Sequence, residues 1–216
     1  MSLRAGRLLP ILGAAVVLAM TASSGHADLI TFDDLPSPAL DVPIPNGYHG
    51  LNWSNFDYLT ASLTSHNGYQ NAVVSSDNVA FNAGGTLAVA SADPFSVTSM
   101  YLTGAWNNGL NVTLSGYNGA TLLDTTTVVV NTSGPTLVTL DWANLTALDF
   151  SSSGGTENPA YVGFGSGTQF ALDNLLITSN ATPEPASICL LGVGFVGLAG
   201  FARRRAEKRL GRRAVA

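Results

Sequence analysis

Between Asp28 and Asn180 this chain has neither lysine nor arginine. Its nine basic residues all lie in positions 4–7 or 203–213 of the 216. The same middle stretch carries twelve Asp and Glu against no base, so the formal net charge of −5 conceals a middle near −12. A surface with nothing to neutralise phosphate excludes nucleic acid as a partner of the middle. Attraction to an anionic membrane surface is disfavoured for the same reason. Cysteine is nearly absent too: Cys189 is the one in the chain, and it lies in an apolar tail. No disulfide can brace the middle region, so its stability must come from a hydrophobic core, helped at most by a bound cation. About 150 residues suffice for one such core.

Catalytic equipment is also sparse. The middle has two histidines, His49 and His66, seventeen positions apart and so not at metal-cluster spacing. The nearest approach to a Gly-x-Ser-x-Gly nucleophile elbow is Gly163-Phe164-Gly165-Ser166-Gly167, where Ser stands one place off the pattern. Twelve carboxylates offer many pairs, and none is singled out. The expectation is a non-enzyme. The catalytic alternative is a glycoside hydrolase, which requires a cleft with two facing carboxylates.

Long hydrophobic runs occur only at the two ends. Arg4 and Arg7 precede an apolar stretch from Leu8 to Met20, and Gly25-His26-Ala27 forms a small-x-Ala cleavage site. Residues 1–27 are expected to be a signal peptide, used by the Sec machinery and signal peptidase, with the mature chain starting at Asp28. At the other end Pro183-Glu184-Pro185 precedes an apolar run from Ala186 to Ala202, closed by Arg203-Arg204-Arg205 and then Lys208, Arg209, Arg212 and Arg213. Those 17 residues make a helix of roughly 25 Å, marginal against a bilayer core of about 30 Å. Basic segments stay cytoplasmic, so both ends are expected inside and the middle outside. An ordinary C-terminal anchor is the plainer alternative.

The order and spacing of this tail resemble the PEP-CTERM sorting signal of Gram-negative bacteria. The resemblance implies that residues 181–216 are a sorting tail handled by an exosortase. Within it Pro183, Glu184 and Pro185 would be the recognition motif, Ser187–Ala202 the helix and Arg203, Arg204 and Arg205 the stop, opening a basic cluster over 203–213. It further implies an exported protein, held transiently at the inner membrane by the tail alone and then placed at the cell surface or in the extracellular matrix.

Residues 28–180 read as all-β, a single jelly-roll-like β-sandwich. Short runs rich in Val, Thr, Leu and aromatics predict strands near Leu29–Asp33, Leu51–Leu59, Ala72–Ser75, Phe95–Thr103, Asn111–Gly116, Thr121–Asn131, Thr136–Asp141, Ala147–Ser151, Tyr161–Phe164 and Gln169–Thr178. Asn118-Gly119 and Asn108-Gly109 predict hairpin turns. Residues 34–50, with four prolines, and residues 151–158 predict loops.

Three segments carry a second resemblance: Ile30-Thr31-Phe32-Asp33-Asp34-Leu35, Gly50-Leu51-Asn52-Trp53-Ser54-Asn55-Phe56 and Thr168-Gln169-Phe170-Ala171-Leu172-Asp173-Asn174-Leu175. Together they are similar to secreted proteins that look like the galactose-binding-type jelly rolls of carbohydrate-binding modules. That resemblance implies that the first and last strands meet, with a structural calcium near Asp33, Asp34 and Asp173. A hard cation would also balance carboxylates that have no Lys or Arg nearby; solvated carboxylates at strand ends are the alternative. For a glycan, flat aromatics beside amides are the natural tools. They point to Trp106, Asn107 and Asn108 at one turn, with Tyr117 and Asn118 on a neighbouring one. Trp53 and Trp142, inside strand patterns, are expected in the core, whereas Trp106 could serve either purpose. The middle is therefore either a structural component of an extracellular polysaccharide matrix or a lectin-like, calcium-dependent module.

Overall fold

The computed structural model describes residues 25–38, 41–83 and 87–179, inside a compact unit running from Ser24 to Thr182. Of the expected signal peptide, residues 1–27, positions 1–24 lie outside the described residues. So does the sorting tail, with Pro183, Glu184, Pro185, Arg203, Arg204 and Arg205.

The described residues form ten strands: β1 (His26–Ile30), β2 (Val42–Pro43), β3 (Asn52–Ser54), β4 (Phe56–Thr60), β5 (Asn78–Asn82), β6 (Leu87–Gly104), β7 (Asn107–Asn118), β8 (Thr121–Val130), β9 (Thr136–Glu157) and β10 (Phe170–Ser179). Helix among the described residues is limited to three 3₁₀ turns of three residues each. Every pairing is antiparallel, in the order β2-β4-β5-β10-β6-β9-β7-β8, with β1 added to β10 and β3 to β6. All of the first strand pairs with the second half of the last, from His26 opposite Ser179 to Ile30 opposite Leu175.

This single sheet folds over on itself. Phe56 on β4 and Phe150 on β9 are four strand spacings apart, about 19 Å on a flat sheet. Their ring centroids lie 5.3 Å apart. Phe170 stacks on Phe150 at 5.8 Å, and Phe32, Phe95, Met100, Leu110 and Leu148 complete a dry interior. The architecture is therefore an all-β sandwich around one core. Trp53 is in that core at 6 % exposure, and Trp142 packs against its edge.

A second, smaller cluster covers the outer face of β4 and β5. Alternation divides these strands: Phe56, Tyr58 and Ala80 point into the main core, while Leu59, Val79 and Phe81 point outward. Residues 61–77 lie over that outer face and bring Ala61, Tyr69 and Ala72 onto it.

Several expected elements differ. Ala72–Ser75 is not a strand, because the amides of Val74 and Ser75 donate to the carboxylate of Asp173 instead of to a neighbouring strand. The strand of this region is β5, whose Asn-Val-Ala-Phe-Asn sequence is bounded by turn-type residues and lacks a strand signature. Tyr161–Phe164 is a pair of turns closed by Tyr161 N–H to Asn158 O and Phe164 N–H to Tyr161 O. Residues 151–157 belong to β9, paired with β7 from Thr113–Ser151 to Asn107–Glu157. Asn108-Gly109 lies inside β7, with Gly109 at φ +66°, and the β6–β7 reversal falls on Ala105-Trp106. The Asn118-Gly119 hairpin is where the sequence predicts it, Asn118 facing Thr121.

Candidate functional site

The outward face of β4 opens into a surface cleft of about 450 Å³. That is within the range of small-ligand sites. Asp57 and Leu59 of β4 and Phe81 and Asn82 of β5 form its floor. Thr64, Asn67 and Tyr69 come from the covering segment, Trp106 from the β6–β7 reversal, and Gly165, Ser166 and Gln169 from the approach to β10. Asp41 completes one wall. β2 pairs Val42 with Tyr58 and Pro43 with Asp57. Asp41 is therefore the diagonal neighbour of Asp57 on the same face, about 7–8 Å away along the ladder. The two carboxylates stand side by side on one wall.

Packing holds the aromatic walls. Trp106 meets Tyr69 edge-on at 6.0 Å, and Tyr69 meets Phe81 at 5.2 Å. Gly165 lies directly on the indole: a Cβ there would come within 2.4 Å of Trp106 Cη2. The backbone around Trp106 is anchored by Ala105 N–H to Gln169 O and Asn158 N–H to Trp106 O. Next in sequence to the lining residues Asn67 and Gly165, His66 stacks on Phe164 with ring centroids 3.9 Å apart and planes within 5°. Phe164 is 59 % exposed.

The site is acceptor-rich. Burial, reinforced by the charge of Asp41, holds the Asp57 carboxyl above the ordinary carboxylate range. Burial, and then Asp41 again, pushes the Tyr69 phenol up. Gln169 has a buried Oε1 with no hydrogen-bond partner. No Lys or Arg occurs between Asp28 and Asn180 to offset these groups.

Of the residues the sequence singles out for a ligand, only Trp106 lines this cleft. Asn107 Nδ2 donates to Gly154 O, and Asn108 Oδ1 accepts from both the amide and the hydroxyl of Thr132. Tyr117 and Asn118 stand at the opposite end of β7, about 30 Å or more from Asn107 at strand rise. Asn118 Nδ2 donates to Asn144 O. The expected grouping of these five is therefore not one site. It was drawn from a hairpin at Asn108-Gly109, whereas β7 continues through that pair.

The three carboxylates named for calcium also part company. Asp173 is 1 % exposed and accepts from Val74 N at 2.7 Å, Ser75 N at 3.1 Å and Asn174 N at 2.7 Å. Burial raises its pKa; these three amides oppose the shift, and Asp33 adds to it. Asp33 Oδ1 accepts from Asp77 N and Asn78 N, each at 3.0 Å. Asp34 turns to Tyr48, whose hydroxyl donates to it, and to His49 Nε2 at 3.6 Å. His49 Nδ1 reaches Asp28 at 2.6 Å. Among the described residues no three His, Cys, Asp or Glu side chains converge as metal ligands. Asp33 and Asp173 instead organise residues 73–78, the segment that follows Tyr69.

Sequence reasoning missed Asp41, Asp57, Tyr69, Phe81 and Gln169. The alternation Phe56-Asp57-Tyr58-Leu59 does show that Asp57 and Leu59 share a face, but no local signal brings Asp41, Trp106 and Gln169 to it.

No curated protein sequence matches the chain. Among solved structures, a DUF4465 family protein from Bacteroides ovatus is similar at a TM-score of 0.40 and 12 % identity, over 71 % of this chain and 94 % of that one. TmCBM61, solved in complex with β-1,4-galactotriose, is similar at 0.33 and 9 %, over 62 % and 93 %. A CBM4 structure is similar at 0.28 and 12 %, over 70 % and 94 %. In the tail, residues 181–206 match the PEP-CTERM protein-sorting motif, which implies export, anchoring through the tail and processing by an exosortase.

Proposed function

We propose that this protein is delivered to the cell surface or extracellular matrix of a Gram-negative bacterium and that its sandwich binds a matrix polysaccharide without cleaving it. The observation that carries the binding reading is the cleft, with Trp106 and Tyr69 in its lining, Asp41 and Asp57 on one wall and the exposed Phe164 next in sequence to its Gly165. Aromatic faces take the apolar faces of sugar rings, and amides and carboxylates take the hydroxyls. The placement of both carboxylates on one wall supports a non-catalytic role. A glycosidase needs its two carboxyl groups on either side of the scissile bond, whereas Asp41 and Asp57 adjoin on one wall. Export through the Sec machinery, with signal peptidase cutting after Ala27, would leave Asp28 first in the chain. Its carboxylate holds His49, and Asp28–Ile30 would remain paired to β10.

The test is retention of the unit Ser24–Thr182, which carries its own core and all its strand pairings, on a panel of insoluble and matrix polysaccharides. Each is assayed with calcium and with chelator. Saturable retention, lost in Trp106→Ala and weakened in Phe164→Ala, is the expected result. Trp106 is half-buried, so its truncation should also cost about 1–3 kcal/mol of stability. Phe164 is exposed, and its variant should melt like the parent. No retention on any polysaccharide would leave the sandwich as a purely structural matrix component.

A further inference from the structure

The cleft carries two carboxylates and no positive charge. Asp41 and Asp57 share one wall as diagonal neighbours. No lysine or arginine of the sandwich can neutralise the two carboxylates. Asp57 is already disfavoured as an anion by burial and by Asp41. A neutral sugar brings hydroxyls, each both donor and acceptor. An ammonium brings three donors, no acceptor and the missing charge.

We infer that the ligand of this cleft is a polysaccharide bearing free primary amines, a de-N-acetylated amino-sugar polymer, and that Asp41 and Asp57 together bind its ammonium group. The inference rests on the polysaccharide reading above and specifies its ligand. Trp106, backed by the buried Tyr69, contacts the sugar face, and the carboxylate pair distinguishes the amine from its acetamide. Acetylation removes the charge and adds a carbonyl acceptor facing two carboxylates, so the acetylated polymer is rejected as well as less attracted. The middle region's charge near −12 draws in any polycation at long range, so the selective step has to be isolated at the pair itself.

The experiment measures binding of Ser24–Thr182 to a glucosamine hexamer and to its fully N-acetylated counterpart. It is run at about pH 6, where the amine carries charge and ordinary aspartates are ionised. Binding is compared among the parent, an Asp41→Asn/Asp57→Asn variant and an Asp93→Asn/Asp124→Asn variant. The last pair is exposed, lies outside the cleft and changes net charge equally. The expected result is about tenfold tighter binding of the free amine by the parent, the yield of one or two partly screened ion pairs. That preference should vanish in Asp41→Asn/Asp57→Asn, survive in Asp93→Asn/Asp124→Asn, shrink with added salt and be indifferent to chelator. Equal binding of both hexamers, unchanged by Asp41→Asn/Asp57→Asn, would overturn the amine assignment and leave the polysaccharide reading intact. An equal loss in both variants would reduce the effect to general polyanion attraction and overturn it too. Chelator-sensitive binding would assign the carboxylate pair to a metal instead. Failure of both hexamers and of every polysaccharide in the panel would defeat the reading on which the inference rests.

Discussion

Replacing Asp173 by Asn tests whether one buried carboxylate organises the segment that covers the cleft. Asp173 is 1 % exposed. One oxygen accepts from the amides of Val74 and Ser75 at 2.7 and 3.1 Å, the other from Asn174 N at 2.7 Å and Ser75 Oγ at 3.3 Å. Asparagine keeps one acceptor oxygen and sets an NH₂, which accepts nothing, against the remaining amides. Each buried donor left unsatisfied costs about 1–3 kcal/mol. One such donor, Asn174 N–H when the oxygen stays on Val74 and Ser75, offset in part by removal of a buried charge, gives a net loss of about 1–2 kcal/mol. That is a large share of the ~5–15 kcal/mol typical of a domain. Urea denaturation of Ser24–Thr182 reads this loss as a lower midpoint at an unchanged slope. Hydrogen exchange should show the amides of Val74 and Ser75 opening first. Because Thr64, Asn67 and Tyr69 line the cleft, glycan retention should also weaken well below the melting transition. An Asp173→Asn variant within about 0.5 kcal/mol of the parent would refute the argument, since surface-like substitutions fall in that range.

Burial holds the carboxyls of Asp57, Asp149 and Asp173 above their ordinary value of 3.8. The folded state therefore binds protons more readily than the unfolded state, and stability should rise as pH falls from neutral into the window just above 3.8. Melting temperature measured from about pH 7.5 down to pH 4.5 checks the sign; a steady fall would contradict it. Gly165→Ala should displace the Trp106 ring, costing about 1–3 kcal/mol as overpacking and weakening retention out of proportion to any change in secondary structure by circular dichroism. Replacing Arg203, Arg204 and Arg205 by Gln should leave export intact and change how the chain divides between membrane and medium; fractionation that matches the parent would deny these arginines a role as the stop.

Sequence alone sufficed wherever the physics is local or one-dimensional. The Pro183-Glu184-Pro185 motif, the apolar run and the arginine stop act as a linear signal read along the chain, and residues 181–206 match it. Charge is additive, so the lack of Lys and Arg in 28–180 and the resulting acidity of that region are legible without any fold. Period-two patterning with turn residues identified an all-β domain, and Asn118-Gly119 marked its hairpin because a two-residue reversal is decided by those residues. Tertiary structure decided what depends on partners distant in the chain. Ala72–Ser75 lost its strand to a carboxylate about a hundred positions away, an acceptor no local propensity can register. Asp33 and Asp173 became acceptors for backbone amides rather than a visible ligand set for the same reason. Asn107 and Asn118 were separated because β7 runs straight between them, while Asp41, Asp57, Trp106 and Gln169 were brought to one cleft by strand pairing and by loops from three parts of the chain. Alternation tells which residues share a face of a strand; only the pairing of strands tells which faces share a cleft.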